Sequence, residues 1–447
     1  MTVSGSIAAA EIAAMMPRAG GQYVFLREAY SPLFGFLFGW AMFLVVQTGT
    51  IAAVAVAFAK FLGVFFPQVA ANVYVVEPIH LGAYALSLSR QQLVAIALIA
   101  VLTAVNTRGL KLGKWIQNTF TITKTGALLG LVVVGLWLGT NRQSAAWTSS
   151  WWDSAVNGWD SKTAFPGLPV EGQSALWLLL GLAMIGPLFS QSAWNNVTFT
   201  GSETRDPGRT LPRAMILGVV TVILLYFLAN VAYVVTLPLS AIQNARYDRV
   251  GTAALEAILG PRGEAIMAGA ILISTFGCVN GLVLAGARVY YAMAGDGLFF
   301  RGVATTNRCH VPAVALIAQG VWAALLALPV TVSSQPSPGM VAYGDYHYGN
   351  LYGELLEYVI PVDVTFYALM VGGVVALRRK APALERPYRA IGYPLPVLVY
   401  IGLAVLLVLD FIYLKPWTSG KGYLIVLAGI PVYLVWSRLA TARARVA

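Results

Sequence analysis

The chain reads Gly186-Pro187-Leu188-Phe189-Ser190-Gln191-Ser192-Ala193-Trp194-Asn195-Asn196 in the middle of its fifth apolar span. This stretch places a helix breaker, small side chains and amides at the depth of the membrane centre. Backbone without helical hydrogen bonds is tolerated there only where it is buried in protein or lines a cavity. Interrupted helices, whose free N–H and C=O groups hold substrate, are typical of transporter sites. A proline kink without a ligand is the alternative.

The composition around this stretch is that of a membrane protein. Hydrophobic residues make up 58% of the 447 residues and charged residues 11%, against about a quarter charged in a soluble domain. A bilayer core needs about 20 apolar residues for each helical crossing. We predict eleven membrane segments at 3–16, 32–66, 91–107, 115–139, 174–200, 214–236, 263–293, 311–332, 355–377, 391–412 and 422–437. The fold class is therefore an all-α polytopic membrane protein, and no connection is long enough for a soluble domain.

The formal net charge of +11 is distributed unevenly between the two predicted sides. The connections on one side carry eighteen lysines and arginines and those on the other carry eight, while Lys60, Lys124 and Arg288 fall within spans. The positive-inside rule makes the richer side, which includes the C-terminus, cytoplasmic. We therefore expect a multi-pass protein of the plasma (inner) membrane. Topology and contact with the lipid bilayer explain the basic charge, so we expect no nucleic-acid partner.

The residues that carry most enzyme chemistry are few and scattered. Cys278 lies in an apolar span and Cys309 in a polar connection, while the three histidines fall in three different connecting regions. This pattern predicts neither a disulfide framework nor a metal site. A catalytic constellation and a phosphate-cradling motif are also missing from the sequence. We therefore expect no enzyme activity, no cofactor and no metal.

The first span is unusual, because only about sixteen residues precede Pro17 and Arg18. That length is below what a membrane crossing usually needs. The segment does not resemble a signal peptide, because it has no basic region at its start. We interpret it as the second half of a helix, and we expect the reading frame to extend upstream by about one more helix.

The connection at 140–173 carries four tryptophans on the predicted outer side. An aromatic belt at the membrane interface is one interpretation, and a lid over a substrate entrance is the other. The four residues are Trp147, Trp151, Trp152 and Trp159.

Short motifs along the whole chain point to one family. They are Ala10-Glu11-Ile12, Pro17-Arg18-Ala19-Gly20-Gly21-Gln22-Tyr23, Arg27-Glu28-Ala29-Tyr30, Gly35-Phe36-Leu37-Phe38-Gly39-Trp40, Phe189 with Trp194-Asn195, Glu203, Phe276-Gly277-Cys278-Val279-Asn280-Gly281 and Leu384-Glu385-Arg386-Pro387. In this order they resemble the amino acid, polyamine and organocation (APC) transporter superfamily, and within it the L-type amino acid transporter branch.

The resemblance implies a fold of twelve helices, in which helices one to five and six to ten form an inverted repeat around two broken helices, the first and the sixth. On that pattern the chain is a single transmembrane domain. Residues 1–139 are the remainder of the first repeat, 174–377 are the second repeat and 391–437 are the last two helices. The first segment is then a remnant of helix two. Because the helix before it would supply half of the substrate's backbone ligands, a truncated, inactive permease is one possible function of this chain.

The resemblance also implies roles for residues at the interrupted helix. Phe189 resembles the aromatic gate that closes over substrate. The backbone that binds substrate, helped by the half-helix dipole acting on the carboxylate, belongs to Ser190, Gln191, Ser192 and Ala193. Asn195 resembles an amide near the substrate amine, and Asn280 sits where the eighth helix lines the side-chain pocket. Plain helix packing is the alternative for each of them.

Lys124 and Asp363 are charged residues within predicted spans, where ionisable side chains are costly and point to function. Lys124 matches a lysine on helix five that occupies the place of a sodium ion in sodium-independent family members. It could brace the broken helices or exchange a proton, and snorkelling to the interface is the alternative. Asp363 departs from the eukaryotic L-type pattern, which has no acidic residue there. It could shift preference toward cationic or polar substrates, or pair with a lysine or a helix end.

These features favour a secondary transporter that moves neutral amino acids by alternating access, with proton coupling or exchange. A membrane sensor that binds amino acids without transport is the alternative. Eukaryotic L-type members use an outer-loop cysteine to bond a single-span glycoprotein, and 68–90 contains no cysteine. We therefore expect no disulfide-linked heavy chain.

Overall fold

The computed structural model describes residues 1–139, 173–245, 249–334, 340–350 and 352–444. The tryptophans of the 140–173 connection lie outside these residues. The helices are α1 Thr2–Met15, α2 Gln22–Ala29, α3 Pro32–Phe65, α4 Arg90–Thr107, α5 Leu110–Leu138, α6 Gln173–Ala183, α7 Ile185–Ser190, α8 Pro207–Thr236, α9 Leu239–Gln243, α10 Val250–Leu259, α11 Pro261–Gly295, α12 Ala313–Leu326, α13 Tyr352–Lys380, α14 Leu395–Leu414 and α15 Pro416–Ala444.

Eight of the helices within the described residues are long and apolar enough to cross a membrane. Three shorter apolar helices, at Thr2–Met15, Ala175–Ser190 and Ala313–Leu326, occupy the positions of the three remaining predicted segments. The polytopic helical fold predicted from the sequence is therefore confirmed. The element that crosses at 32–66 is one continuous helix except for a single π-helical turn at Met42–Val46.

The helix ends follow local sequence signals. α3, α8, α11 and α14 all have proline in the first turn, where a missing N–H costs nothing because that group has no partner within the helix. α4 begins with a capping box. The Gln92 N–H donates to Ser89 Oγ at 3.2 Å, and the Ser89 N–H donates to Gln92 Oε1 at 2.7 Å. These signals fix where each crossing starts.

The fifth span is interrupted as the sequence predicts, but later than its proline. Pro187 lies within the short helix α7, in the first turn where proline is tolerated. Regular helix ends at Ser190, residues 191–195 form turns, and a 3₁₀ helix at Asn196–Glu203 follows. Ala193 in these turns has a φ of 60°, in the left-handed region. A residue with a β-carbon pays about 1–2 kcal/mol for that conformation, so surrounding contacts must hold it.

A five-stranded antiparallel sheet is an addition that the sequence analysis does not predict. Its strands are β1 Tyr74–Leu81, β2 Tyr84–Ser89, β3 Pro329–Ser333, β4 Val341–Tyr343 and β5 Tyr346–Asn350, in the order β1-β2-β3-β5-β4. It joins the connection after α3 to the connection after α12. The predicted helix at 311–332 was therefore too long, since α12 ends at Leu326. Pro329 cannot continue a helix, and the β-branched residues after it favour a strand.

Side-chain hydrogen bonds join β1, at one edge of the sheet, to β4 and β5 at the other. Tyr343 Oη donates to Glu77 Oε1 at 2.8 Å, and Tyr348 Oη bonds His80 Nε2 at 2.9 Å. Burial, together with neighbouring tyrosines, raises the pKa of Tyr74 to about 12. The Tyr74 hydroxyl therefore stays neutral at physiological pH and packs against the Tyr343 and Tyr348 rings.

The opposite end of the bundle is joined by ion pairs between helices. Their basic members come from the side that the charge distribution predicts to be cytoplasmic, or from the span residue Arg288. The pairs are Glu11 with Arg378 and Arg386, Arg27 with Asp296, and Glu203 with Arg288. Four of these seven residues belong to the motifs that carry the family resemblance. Those motifs therefore mark contacts that hold helices together at one end.

Candidate functional site

A cavity lies beside the interruption, between α3, α11 and α13. It is lined by Gln22, Phe38, Met42, Val46, Gln47, Thr50, Ser192, Ala193, Asn195, Asn196, Phe199, Leu282, Val359, Asp363 and Tyr367. The unwound backbone is tolerated at this depth because it borders a cavity rather than lipid.

The cavity is nearly closed in this conformation. Its volume is about 20 Å³, which is room for about one water molecule. An amino acid has several times that volume, so the side chains around the interruption must part before one can enter.

Hydrogen bonds fix the orientation of two amides at this cavity. Gln22 Nε2 donates to the Phe366 carbonyl at 3.0 Å. Since a carbonyl only accepts, the Gln22 oxygen must face the other way, and it accepts from Asn195 Nδ2. The Asn195 oxygen is then left over. It is buried and accepts no hydrogen bond from any residue that the structure describes.

An acidic group stands on the other side of the interruption. Asp363 is 6% exposed and is hydrogen-bonded to Tyr367, one helical turn later on α13. The Tyr367 oxygen accepts from the Ala193 N–H at 2.9 Å, so its own O–H donates to Asp363. The side chain predicted to pair with a lysine or a helix end pairs instead with a tyrosine.

These groups give the cavity an excess of hydrogen-bond acceptors. Asn195 Oδ1 has no donor among the described residues, and the Asp363 carboxyl has oxygen lone pairs beyond the one used by Tyr367. A primary ammonium group offers three donors and no acceptor. The chemistry of the cavity therefore suits a small cation or the ammonium end of a zwitterion.

Four of the residues predicted for the site line this cavity: Ser192, Ala193, Asn195 and Asp363. Phe189, Ser190 and Gln191 precede them along the same segment and are not among the lining residues. Phe189 is half-buried on α7 and packs against the main core. The Ser190 hydroxyl donates to the Pro187 carbonyl and the Ser192 hydroxyl donates to the Phe189 carbonyl, both at 2.8 Å.

Asn280 points away from the cavity. Its Oδ1 accepts from Asn106 Nδ2 at 2.9 Å, and its Nδ2 donates to Gln117 Oε1 at 3.2 Å. These bonds join α11 to α4 and α5. The lining residue on this helix is Leu282, two positions later, and two positions along a helix are about 200° apart. The predicted pocket role of Asn280 is therefore not supported by its orientation.

Lys124 lies half-buried on α5, which packs against α8 and α11. Its ammonium group is within electrostatic reach of Cys278 on α11. It is not among the residues that line the cavity. Its predicted brace between broken helices is not among the contacts seen here, and the role stays a prediction.

Sequence reasoning did not assign five polar residues that line the cavity: Gln22, Gln47, Thr50, Asn196 and Tyr367. Gln47 is a buried amide inside an apolar span and donates to the Leu282 carbonyl at 2.7 Å. Such amides hold membrane helices together, so its position was a usable signal. Tyr367 lies four residues after Asp363, a spacing that places two side chains on one helix face. Gln22 stands in one of the family motifs, but its role at the cavity depends on tertiary contacts that the motif does not show.

Comparison with known proteins identifies the family of this chain. The amino acid permease family profile matches residues 1–435. The chain belongs to the amino acid permease family. This places it in the APC superfamily, as the motifs implied, and makes it a transport protein of the membrane rather than an enzyme.

Individual relatives extend over nearly the whole chain. It is 28% identical to the human "Large neutral amino acids transporter small subunit 2" over 436 residues, which is 97% of this chain and 71% of that protein. It is 27% identical to the "Serine/threonine exchanger SteT" of Bacillus subtilis (strain 168) over 438 residues, 97% of this chain and 85% of that protein. It is 25% identical to the human "b(0,+)-type amino acid transporter 1" over 434 residues, which is 97% of this chain and 77% of that protein.

Proposed function

We propose that this permease moves neutral amino acids across the membrane by alternating access. The observation that carries the proposal is the buried Asn195 oxygen, which lacks a donor among the described residues and lies at the unwound segment. A buried acceptor left unpaired costs about 1–3 kcal/mol. The α-ammonium group of an amino acid would remove that cost by donating to it.

The substrate carboxylate would be held by the unwound backbone of 190–193 at its Ala193 end. This end lies close to the start of the 3₁₀ helix Asn196–Glu203, and the N-terminal end of a helix dipole favours negative charge. In the conformation described here, the Ala193 N–H is bonded to the Tyr367 hydroxyl at 2.9 Å. An entering carboxylate would compete for that donor and release Tyr367. We propose that this exchange of partners accompanies opening of the nearly closed cavity, with Phe189 as the gate.

A neutral side chain is the preference that best fits the cavity wall. Its apolar part comes from Phe38, Met42, Val46 and Leu282. The names of two relatives refer to large neutral amino acids and to serine and threonine, which are all uncharged in their side chains. Asp363 would then interact with the α-ammonium group or tune polarity, rather than select a cationic side chain.

The test is transport of the purified full chain in proteoliposomes, beside equilibrium binding. Loaded vesicles should show saturable counterflow of neutral amino acids, and Asn195→Ala should lower apparent affinity about tenfold or more, as expected for losing a bond to a charged group. Asn230→Ala, on an exposed face of α8, is the matched control and should behave as wild type. Binding without any flux would instead favour an amino-acid sensor.

We further propose an orientation and a stand-alone state. The basic end of the bundle faces the cytoplasm of a plasma membrane, and the C-terminus lies on that side. No cysteine occurs in 68–90, so no disulfide-linked heavy chain is attached there. Labelling of single introduced cysteines from either side of sealed vesicles checks the orientation.

A further inference from the structure

α14 carries a carboxyl group that the proposed transport function does not use. Asp410 lies about one turn before the end of this membrane-spanning helix. Both of its carboxyl oxygens are shielded from solvent, and neither accepts a hydrogen bond from any residue in the part of the chain that the structure describes.

The carboxyl group packs against the first half of the interrupted span. It faces Gly181 of α6, where a β-carbon would lie only 2.8 Å from Asp410 Cγ. A side chain at position 181 would therefore force the Asp410 carboxyl group to move. An apolar cluster joins the same two helices, and it consists of Ala175, Leu178, Leu179, Leu182 and Leu414.

Several charged groups on the helices packed around α14 have other partners among the described residues. α14 packs against α1, α6, α13 and α15, and α6 has no titratable side chain. Glu11 of α1 pairs with Arg378 of α13, and Asp363 of α13 bonds Tyr367. On α15, Lys421 donates to Tyr84 and the Tyr423 hydroxyl bonds Thr365. Lys415, at the end of α14, is near in sequence, but Asp410 accepts no bond from it.

An ionised carboxylate in such surroundings is strongly disfavoured, because nothing replaces the water that it lost. A protonated carboxyl group is neutral and tolerates an apolar contact far better. We propose that Asp410 is a proton-binding site, protonated while α6 packs against it and ionised when α6 moves away and water reaches it. One proton adds to a carboxyl oxygen from water and returns to water, with no other bond changed.

This site is placed to couple proton binding to transport, and that part rests on the proposed function. α6 leads directly into α7 and the unwound segment that lines the cavity, so motion of that segment moves the contact with Asp410. Coupling of this kind is reciprocal: the proton favours the packed position of α6, and displacement of α6 releases the proton.

A stability measurement tests the proton site without requiring transport. The apparent unfolding temperature of the purified full chain is measured from acid to alkaline pH for wild type, Asp410→Asn and Asp410→Leu. Wild type should lose stability as pH rises, because ionisation opposes the packed state. Both variants should lack that component, and Leu keeps the test usable where Asn folds poorly. Glu256→Gln, an exposed carboxyl on α10, should follow wild type.

Two results overturn the proton site. One is an unchanged pH profile in both Asp410 variants. The other is a wild type that loses stability at acid pH while Asp410→Asn is weakened at neutral pH, which would mean an ion pair with a cation outside the described residues.

Proteoliposomes test the coupling. An acid-outside gradient should accelerate net amino-acid uptake by wild type and Glu256→Gln, whereas Asp410→Asn and Asp410→Leu should keep counterflow and lose the acceleration. Full acceleration in an Asp410 variant overturns the coupling. Absence of any wild-type uptake would instead reject the proposed transport function, and the stability result would still decide the proton site.

Discussion

The Tyr367 hydroxyl accepts a hydrogen bond from the Ala193 N–H at 2.9 Å and so joins α13 to the unwound segment. Ala193 has a φ of 60°, a conformation that is costly for a residue with a β-carbon. The Trp194 and Tyr367 rings are also in contact, with centroids 5.4 Å apart. One side chain therefore holds the segment in its closed form from two directions.

Tyr367→Phe should loosen this closed form. The Ala193 N–H would lose its acceptor inside the protein, at a cost of about 1–3 kcal/mol. We expect a lower unfolding temperature in detergent and a tighter apparent affinity for substrate, because the substrate carboxylate no longer has to displace the hydroxyl.

Tyr413→Phe is the control for this variant, because Tyr413 is exposed near the end of α14 and its loss should change stability by less than about 0.5 kcal/mol. Equal effects of the two substitutions would mean that the Tyr367 hydroxyl does not hold the segment.

Phe189→Ala should impair transport more than binding. A gate acts on closure after first contact, and Phe189 stands on α7 immediately before the turns that line the cavity. Uptake and equilibrium binding are measured on the same preparation. Phe227→Ala, on the exposed face of α8, removes a ring of the same size from a lipid-facing position and should leave both quantities unchanged. Wild-type uptake by Phe189→Ala would contradict the gate.

Lys124→Ala should abolish transport while leaving membrane insertion intact. Removing a charge from a span makes insertion easier, whereas any interaction that Lys124 makes with α11 is lost. Expression level and uptake at several pH values separate the two effects. Arg108→Ala, an exposed cation at the end of α4, is the comparison. If uptake and its pH dependence are both unchanged, Lys124 only reaches toward the interface.

Much of the helical fold could be predicted from the sequence. A membrane crossing needs a long apolar segment, which can be recognised without knowledge of tertiary contacts. The interruption was legible for the same reason, since amides and serines stand out in an apolar run. The residue at which regular helix ends was not, because Pro187 fits the first turn of α7 and the helix continues to Ser190. The sheet was missed because β2 pairs with β3 across more than 240 positions of sequence, and the strands are short.

Part of the lining of the candidate cavity could be predicted from the sequence. Asn195 and Asp363 are polar residues within apolar spans, which is itself a signal. Gln22 and Tyr367 became visible only through their partners, the Phe366 carbonyl and the Ala193 N–H. Asn280 shows the converse: the position on a helix was right, but the rotation of that helix directs the side chain toward α4 and α5.

Glu11→Gln should destabilise the basic end of the bundle. Glu11 is 1% exposed and accepts from Arg378 Nε at 2.9 Å, from Arg378 Nη2 at 2.7 Å and from the Ala390 N–H at 2.7 Å. It joins α1 to α13 and to the connection before α14. Removing one partner of a buried pair costs about 3–5 kcal/mol. The Arg378 side chain is 28% exposed and regains some hydration, whereas Arg386, at 10%, is more buried and also loses its partner, so we expect a loss near the lower end of that range.

Glu28→Gln provides the matched control for Glu11→Gln, since Glu28 also pairs with arginines but its side chain is 39% exposed. Exposed pairs contribute about 0–1 kcal/mol, so this variant should unfold near the wild-type temperature. The double variant with Arg378→Gln isolates the pairwise term. If the pair matters, the combined loss should be smaller than the sum of the two single losses, because the second substitution removes a charge that is already uncompensated. Additive losses, or equal effects of Glu11→Gln and Glu28→Gln, would show that burial of this ion pair does not stabilise the bundle.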